Sequence, residues 1–173
     1  DLFSRTGTSV SHCPCSNMRL GSGILPLNKM LERGVNIGLG VDGSASNDSG
    51  NLLNEARQAL YLQRVNETNN FYLNARNAIW LATAGGAIAL NRDDIGSIKI
   101  GNCADFAIYD TSSLELAGSV EDPIGGLIFC GPLKTKWTIC NGHIISEYNN
   151  IKNINIEDTI NQHNSLSRKL INS

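Results

Sequence analysis

Apolar side chains recur along the first half of the chain in two rhythms. Val35, Ile37, Leu39 and Val41 alternate with Asn36, Gly38 and Gly40, between Gly34 and Asp42. Such a run, bounded by a glycine and a carboxylate, predicts a buried strand over 35–41. Ahead of it, Pro26 to Arg33 reads as a short helix, with Pro26 near its start and Gly34 at its stop. Gly43 to Gly50 is a polar loop. Leu52, Leu53, Ala56, Ala59, Leu60 and Gln63 then fall near helical spacing, with Glu55, Arg57 and Arg64 off that face. Ala75 to Ala84 predicts another helix, with Asn74 as its N-cap. Gly85-Gly86 is expected to interrupt it, and Ala87 to Leu90 to add one apolar turn. Val10 marks the end of an earlier short strand. Strand, helix, strand, helix is the rhythm of a parallel sheet with crossovers.

From about residue 94 the pattern changes. Ile98, Ile100, Phe106, Ile108, Thr138, Ile139, Ile144 and Ile145 sit in short β-type runs punctuated by glycine. Asn141-Gly142 is a two-residue hairpin signal. A small antiparallel β layer is expected over 94–150. In the tail, Ile156, Ile160, His163, Leu166 and Leu170 fall at helical spacing, which predicts a C-terminal helix within 151–173. The expected division is thus 1–93, 94–150 and 151–173.

Composition narrows the function classes. Fourteen Lys and Arg against sixteen Asp and Glu give a net charge of -2. No basic cluster exists to neutralise phosphates, so no nucleic-acid partner is expected. No apolar run approaches the ~18 residues of a membrane span, so no membrane partner is expected either. The opening Asp1-Leu2-Phe3-Ser4-Arg5 lacks an initiator Met and reads as a cut inside a longer protein. The five cysteines are scattered apart from Cys13 and Cys15, so reduced thiols and a cytoplasmic location are expected. The 21 asparagines, densest near the C-terminus, read as solvated surface.

Gly38-Leu39-Gly40-Val41-Asp42-Gly43 fits the spacing G-x-G-x-x-G. A dinucleotide site needs those glycines to follow a strand and open a helix, with an acid about 20 residues on. Here they lie inside the strand, and residues 60 to 66 contain no acid. Asp42 is the stronger candidate, because it sits at the carboxyl end of a predicted parallel strand, where α/β barrels present catalytic groups. A turn-capping role for Asp42 fits the same pattern. His12 is the second candidate, again at a strand end before a polar loop. A single C-x-C is weak as a zinc motif, and Cys13 and Cys15 read better as buried structural thiols. His143, after the hairpin, and His163, on the terminal helix, read as non-catalytic. Trp80 and Trp137 are expected in the core.

The stretch from His12-Cys13-Pro14-Cys15-Ser16-Asn17-Met18-Arg19-Leu20 to Ile24, followed by Gly38 to Asp48, resembles the amidohydrolase superfamily. Within it, the deaminases and dechlorinases of purines and s-triazines are the most similar, 8-oxoguanine deaminase above all. Glu55-Ala56-Arg57-Gln58-Ala59-Leu60, Arg92-Asp93-Asp94-Ile95-Gly96 and the stretch Gly96 to Phe106 look like that group too. The resemblance implies an α/β fold: the last two β/α units of a (β/α)8 TIM-type barrel over 1–93 and the C-terminal part of a composite β-sandwich over 94–150. A complete barrel needs roughly 200 to 250 residues. It implies a metal-dependent deamination of an aminated purine, with 8-oxoguanine to urate and ammonia first. Guanine, s-triazine or thio-adenosine substrates are the alternatives. It implies one divalent metal ion, zinc or sometimes iron. Asp42 would be a metal ligand and take the proton of the attacking water. His12 would orient the site or contact substrate, and Ser46 and Asn47 would line the pocket.

The family's H-x-H is absent, and so are its middle-strand histidines and its glutamate acid; only His12, His143 and His163 exist. A catalytic zinc normally has at least three protein ligands. The chain is therefore expected to be inactive alone and to need a missing N-terminal part. A non-catalytic fragment or interaction module is the other class, and a homo-oligomer stays open.

Overall fold

Two parallel strands anchor the N-terminal part of the computed structural model, which describes residues 1–66, 73–131, 133–148 and 150–172. After helix α1 (Leu2–Thr6), strand β1 (Val10–His12) pairs with β2 (Ile37–Leu39). Val10 lies opposite Ile37, Ser11 opposite Gly38, and His12 opposite Leu39. Between them run α2 (Pro14–Leu20) and α3 (Leu27–Glu32). The strand expected over 35–41 is thus shorter, although the Gly40 amide still donates to the His12 carbonyl at 3.0 Å. Two residues later Asp42 turns into the left-handed region at φ 62°, which ends the extended run.

After β2 come α4 (Leu52–Asn66), α5 (Ala75–Ala82) and α6 (Ala84–Ala89). Asn74 caps α5 in a reciprocal box: its side chain accepts from the Asn77 amide at 3.0 Å, and the Asn77 side chain accepts from the Asn74 amide at 3.1 Å. The break between α5 and α6 falls at Thr83, not at Gly85-Gly86. These glycines lie inside α6, where they let the helix touch β2. A Cβ on Gly38 would stand 2.8 Å from the Gly86 Cα, and one on Gly85 would stand 2.7 Å from the Ile37 carbonyl oxygen. Both obstacles are backbone and cannot rotate away. Gly38→Ala is therefore expected to cost about 1–3 kcal/mol, the usual range for overpacking. A urea-unfolding midpoint equal to wild type would refute this contact.

Leu27, Val35, Ile37, Ala56, Leu60, Ala78, Leu81 and Ile128 form the core of this part. Ile128 arrives from α7 (Pro123–Phe129), which packs against α4 and α5. Asp122 caps α7 by accepting from the Gly125 amide at 3.2 Å. At the other end, Arg57 Nε donates to the Ile128 carbonyl at 2.6 Å and Nη1 to that of Gly131 at 3.1 Å. Trp80 was expected in the core but is 43% exposed, on the outer side of α5.

Ile98 and Ile100, expected in strands, are exposed; Ile98 is in irregular backbone and Ile100 in a turn. Gly96 and Gly101 take φ of 79° and 94° on either side, and Asn102 Nδ2 donates back to the Ser97 carbonyl at 3.0 Å, so the segment closes on itself. The antiparallel layer is β3 (Phe106–Ile108), β4 (Trp137–Cys140), β5 (His143–Glu147) and β6 (Asn150–Ile151), paired in that order. Asn141 and Gly142 join β4 to β5 with φ of 47° and 78°, as a type I′ hairpin requires. Trp137 is half-buried in β4. Helix α8 (Ile156–Ile171) closes the chain, with the Asn155 side chain accepting from the Asp158 amide at 3.1 Å. It has no buried residue among those described. Two compact units emerge: Asp1–Asn102 with Thr111–Leu133, and Cys103–Asp110 with Lys134–Ser173. The chain therefore passes from the first unit to the second twice.

Candidate active site

The parallel register brings the carboxyl ends of β1 and β2 side by side. His12 closes β1, and Asp42 follows β2 by three residues. The loop after β1 becomes α2, whose Ser16 is buried. The loop after β2 folds back on itself: the Ser46 and Asn47 amides both donate to the Gly43 carbonyl at 3.0 Å.

Asp42 is exposed, and its carboxylate is held by three donors. Ser16 Oγ donates to Oδ2 at 2.6 Å, Ser46 Oγ to the same oxygen at 2.8 Å, and the Gly43 amide to Oδ1 at 2.8 Å. The Ser16 hydroxyl first, then the Gly43 amide and Ser46, hold the carboxyl below its ordinary range. A carboxylate offers about four lone pairs. One on Oδ1 has no donor among the described residues. A left-handed backbone at a non-glycine residue costs on the order of 1 kcal/mol and persists where surroundings over-determine it.

His12 is 2% exposed, and both ring nitrogens lack a hydrogen-bond partner among the described residues. Burial lowers its pKa to about 4, so the ring is neutral near pH 7. Buried unpaired nitrogens cost stability.

Asn47 is buried, and its side-chain amide is fully engaged. Nδ2 donates to the Val41 carbonyl at 2.7 Å and to Glu55 Oε1 at 2.6 Å, while Oδ1 accepts from Ser49 Oγ at 2.9 Å. Ser46 is half-buried and turned onto Asp42. Helical spacing of the apolar residues sets Glu55 off the face expected to be buried. The structure buries it completely, with Oε2 accepting from the Cys15 amide at 2.9 Å. The signal was present: Glu55, Ala59 and Gln63 stand at i, i+4 and i+8, and all three are buried. Ser16 has no sequence signal of a role either, although its contact with Asp42 is the shorter of the two hydroxyl contacts.

Cys13 and Cys15 are half-buried rather than buried, and all five cysteines are free thiols. Burial, with the Glu55 carboxylate beside it, pushes the Cys15 thiol up to about 12, which removes it as a thiolate ligand or nucleophile at neutral pH. His143 and His163 are exposed, on β5 and α8. No three His, Cys, Asp or Glu side chains converge as a metal site among the described residues. Asp42 and His12 alone do not complete the donor set of a catalytic zinc. After dialysis against a weak chelator, the chain is expected to retain well under one zinc per molecule; stoichiometric zinc by elemental analysis would reveal a donor set beyond these two.

Residues 1–156 match the model of the amidohydrolase family. Over 124 residues the chain is 48% identical to an 8-oxoguanine deaminase of Pseudomonas aeruginosa, covering 72% of this chain and 27% of that protein. It is 34% identical to a 5-methylthioadenosine/S-adenosylhomocysteine deaminase of Pelotomaculum thermopropionicum, over 99% of this chain and 40% of that protein. Among solved structures, an adenosine deaminase from Xanthomonas campestris with bound zinc superposes with a TM-score of 0.92 at 29% identity, over 99% of this chain and 39% of that one. An atrazine chlorohydrolase from Arthrobacter aurescens complexed with zinc gives 0.88 at 32% identity, over 95% and 37%. The chain spans between about a quarter and two fifths of the length of these proteins. The match runs through both strands and both loops that carry His12 and Asp42, and the chain belongs to the amidohydrolase family.

Proposed function

We propose that this chain supplies one part of the active site of a metal-dependent deaminase acting on an aminated purine, with 8-oxoguanine as first substrate. The observation that supports the substrate reading is the 48% identity to an 8-oxoguanine deaminase over 124 residues. In this reading β1 and β2 with their helices are the last two β/α units of a TIM-type barrel, and β3 to β6 belong to the small β domain. Asp42 is a ligand of the metal, zinc in two solved relatives, and the remaining ligands come from residues this chain does not carry. When bound, the metal supplies Lewis acidity.

The chain's own contribution is at Asp42. Two hydroxyls occupy Oδ2 and one amide occupies Oδ1, which keeps the group a carboxylate at neutral pH and leaves the second Oδ1 lone pair to accept a proton or a cation. His12 is neutral, and with both ring nitrogens buried it fits a role in orienting the site better than contact with substrate. Ser46 orients Asp42. The engaged amide of Asn47 fits a positioning role better than a pocket-lining one. The substrate is a small molecule, and a cytoplasmic location accords with five free thiols. No helix among the described residues is long and apolar enough to cross a membrane.

The test is ammonia release by the chain joined to the missing metal-ligand segment, screened across 8-oxoguanine, guanine, 5-methylthioadenosine and amino-s-triazines. Turnover of 8-oxoguanine at least tenfold above the others is expected. Preference for 5-methylthioadenosine would move the substrate to the second reading, favoured by the relatives that align over 99% of the chain.

A further inference from the structure

Glu55 is wholly buried, yet no cationic side chain is paired with it among the described ion pairs. A carboxylate buried against neutral donors alone costs desolvation that a same-sized apolar residue avoids. Its two oxygens are divided between the first turn of α2 and the loop after β2. Oε2 takes the Cys15 amide, one residue before the Ser16 hydroxyl that holds Asp42. Oε1 takes Asn47 Nδ2, whose other hydrogen goes to the Val41 carbonyl, immediately before Asp42. Helix α4 thus reaches Asp42 from both flanks without touching it. The exposed Arg19–Asp48 ion pair joins α2 to the same loop at the surface, where such pairs contribute little.

We propose that Glu55 is a positioning residue: its carboxylate clamps the first turn of α2 and the loop after β2 together and so holds Asp42 in its left-handed, triply hydrogen-bonded pose. The catalytic consequence rests on the function proposed above; the clamp itself does not. Glu55→Gln keeps the volume but makes one arm a donor, which opposes either the Cys15 amide or the Asn47 amide. Asn47→Ala cuts the arm to Asp42, together with the Ser49 contacts to Asn47 Oδ1, and leaves the Cys15 arm in place.

Amide hydrogen exchange on the chain reads the clamp directly. In Glu55→Gln the Cys15, Ser46 and Asn47 amides are expected to exchange at least tenfold faster, while the β1–β2 ladder keeps its wild-type rate. Acceleration at Cys15 alone would overturn the proposal, because Glu55 would then serve only α2. If Glu55→Gln does not fold, Asn47→Ala decides. It is expected to speed the Ser46 amide and to leave Cys15 protected, and unchanged exchange at Ser46 would overturn the clamp. In the joined enzyme at matched metal content, Asn47→Ala is expected to lower kcat about tenfold with KM within threefold. A wild-type enzyme without deaminase activity sinks the functional reading and leaves the exchange result standing. An active enzyme whose Asn47→Ala kcat stays within twofold of wild type overturns the positioning role.

Discussion

Asp42→Asn, in the joined enzyme and at matched metal content, is expected to lower kcat by at least ~100-fold while the fold is retained. The amide is nearly isosteric, and asparagine tolerates the left-handed φ of 62° at this position, so neither packing nor backbone gives the variant a reason to unfold. Its effect is on the two oxygens. One becomes an NH2 group, which cannot accept from Ser16, Ser46 or Gly43 and cannot take a proton. The neutral amide is also a poorer ligand for a divalent cation. Removing a general base alone costs typically ~10²- to 10⁴-fold. A turn-capping role predicts the opposite, because asparagine caps as well as aspartate. A fall smaller than about tenfold, which is ~1.4 kcal/mol of barrier, would return Asp42 to a structural part.

The second large effect concerns His12 and acid. Its folded-state pKa of about 4 lies below the ordinary histidine value of 6.5. Between those values the unfolded chain binds a proton that the folded chain refuses. Stability therefore falls as pH drops from 6.5 to 4, and is flat in this respect above and below that window. The difference in pKa corresponds to about 3 kcal/mol. The lowered carboxyl of Asp42 also favours the fold, but its contribution is lost only as pH falls below the ordinary aspartate range, so the two windows separate. His12→Phe removes both ring nitrogens, with a ring one atom larger. It is expected to be more stable than wild type at pH 7, because two buried unpaired nitrogens disappear, and to lose most of the slope between pH 6.5 and 4. Urea unfolding of both proteins at pH 7 and pH 4.5 measures this. Parallel losses of stability would show that some other group titrates.

His12 and Asp42 were legible from sequence because a strand's end is marked twice, by the stop of apolar alternation and by the start of small polar residues. Their adjacency followed from the strand–helix–strand order. Glu55 was not legible as a buried residue, because a face is assigned by apolarity and a carboxylate scores against it. Only its spacing to Ala59 and Gln63 pointed inward. Ser16 is set by a tertiary contact 26 positions away in sequence, which no local pattern encodes. Ile98 and Ile100 misled in the other direction. Their β-branched side chains suit strands, but the left-handed glycines at 96 and 101 close the segment into turns before a partner strand is reached.

Helix α8 has the amphipathic spacing of a docked helix, yet Ile160, Leu166 and Leu170 are all more than half exposed. With no buried residue, its support is local. The Asn155 cap, Glu157 and Asp158 in the first turn, and Arg168 and Lys169 in the last turn complement the helix dipole. Sixteen residues held this way sit near the length at which helices in water are only marginally formed. Its melting is then a helix–coil equilibrium of its own, decoupled from the cooperative transition of the sheet beside it in sequence. Salt screens the charges that sustain it, so a gradual, ionic-strength-dependent loss of helical signal precedes the main transition on heating.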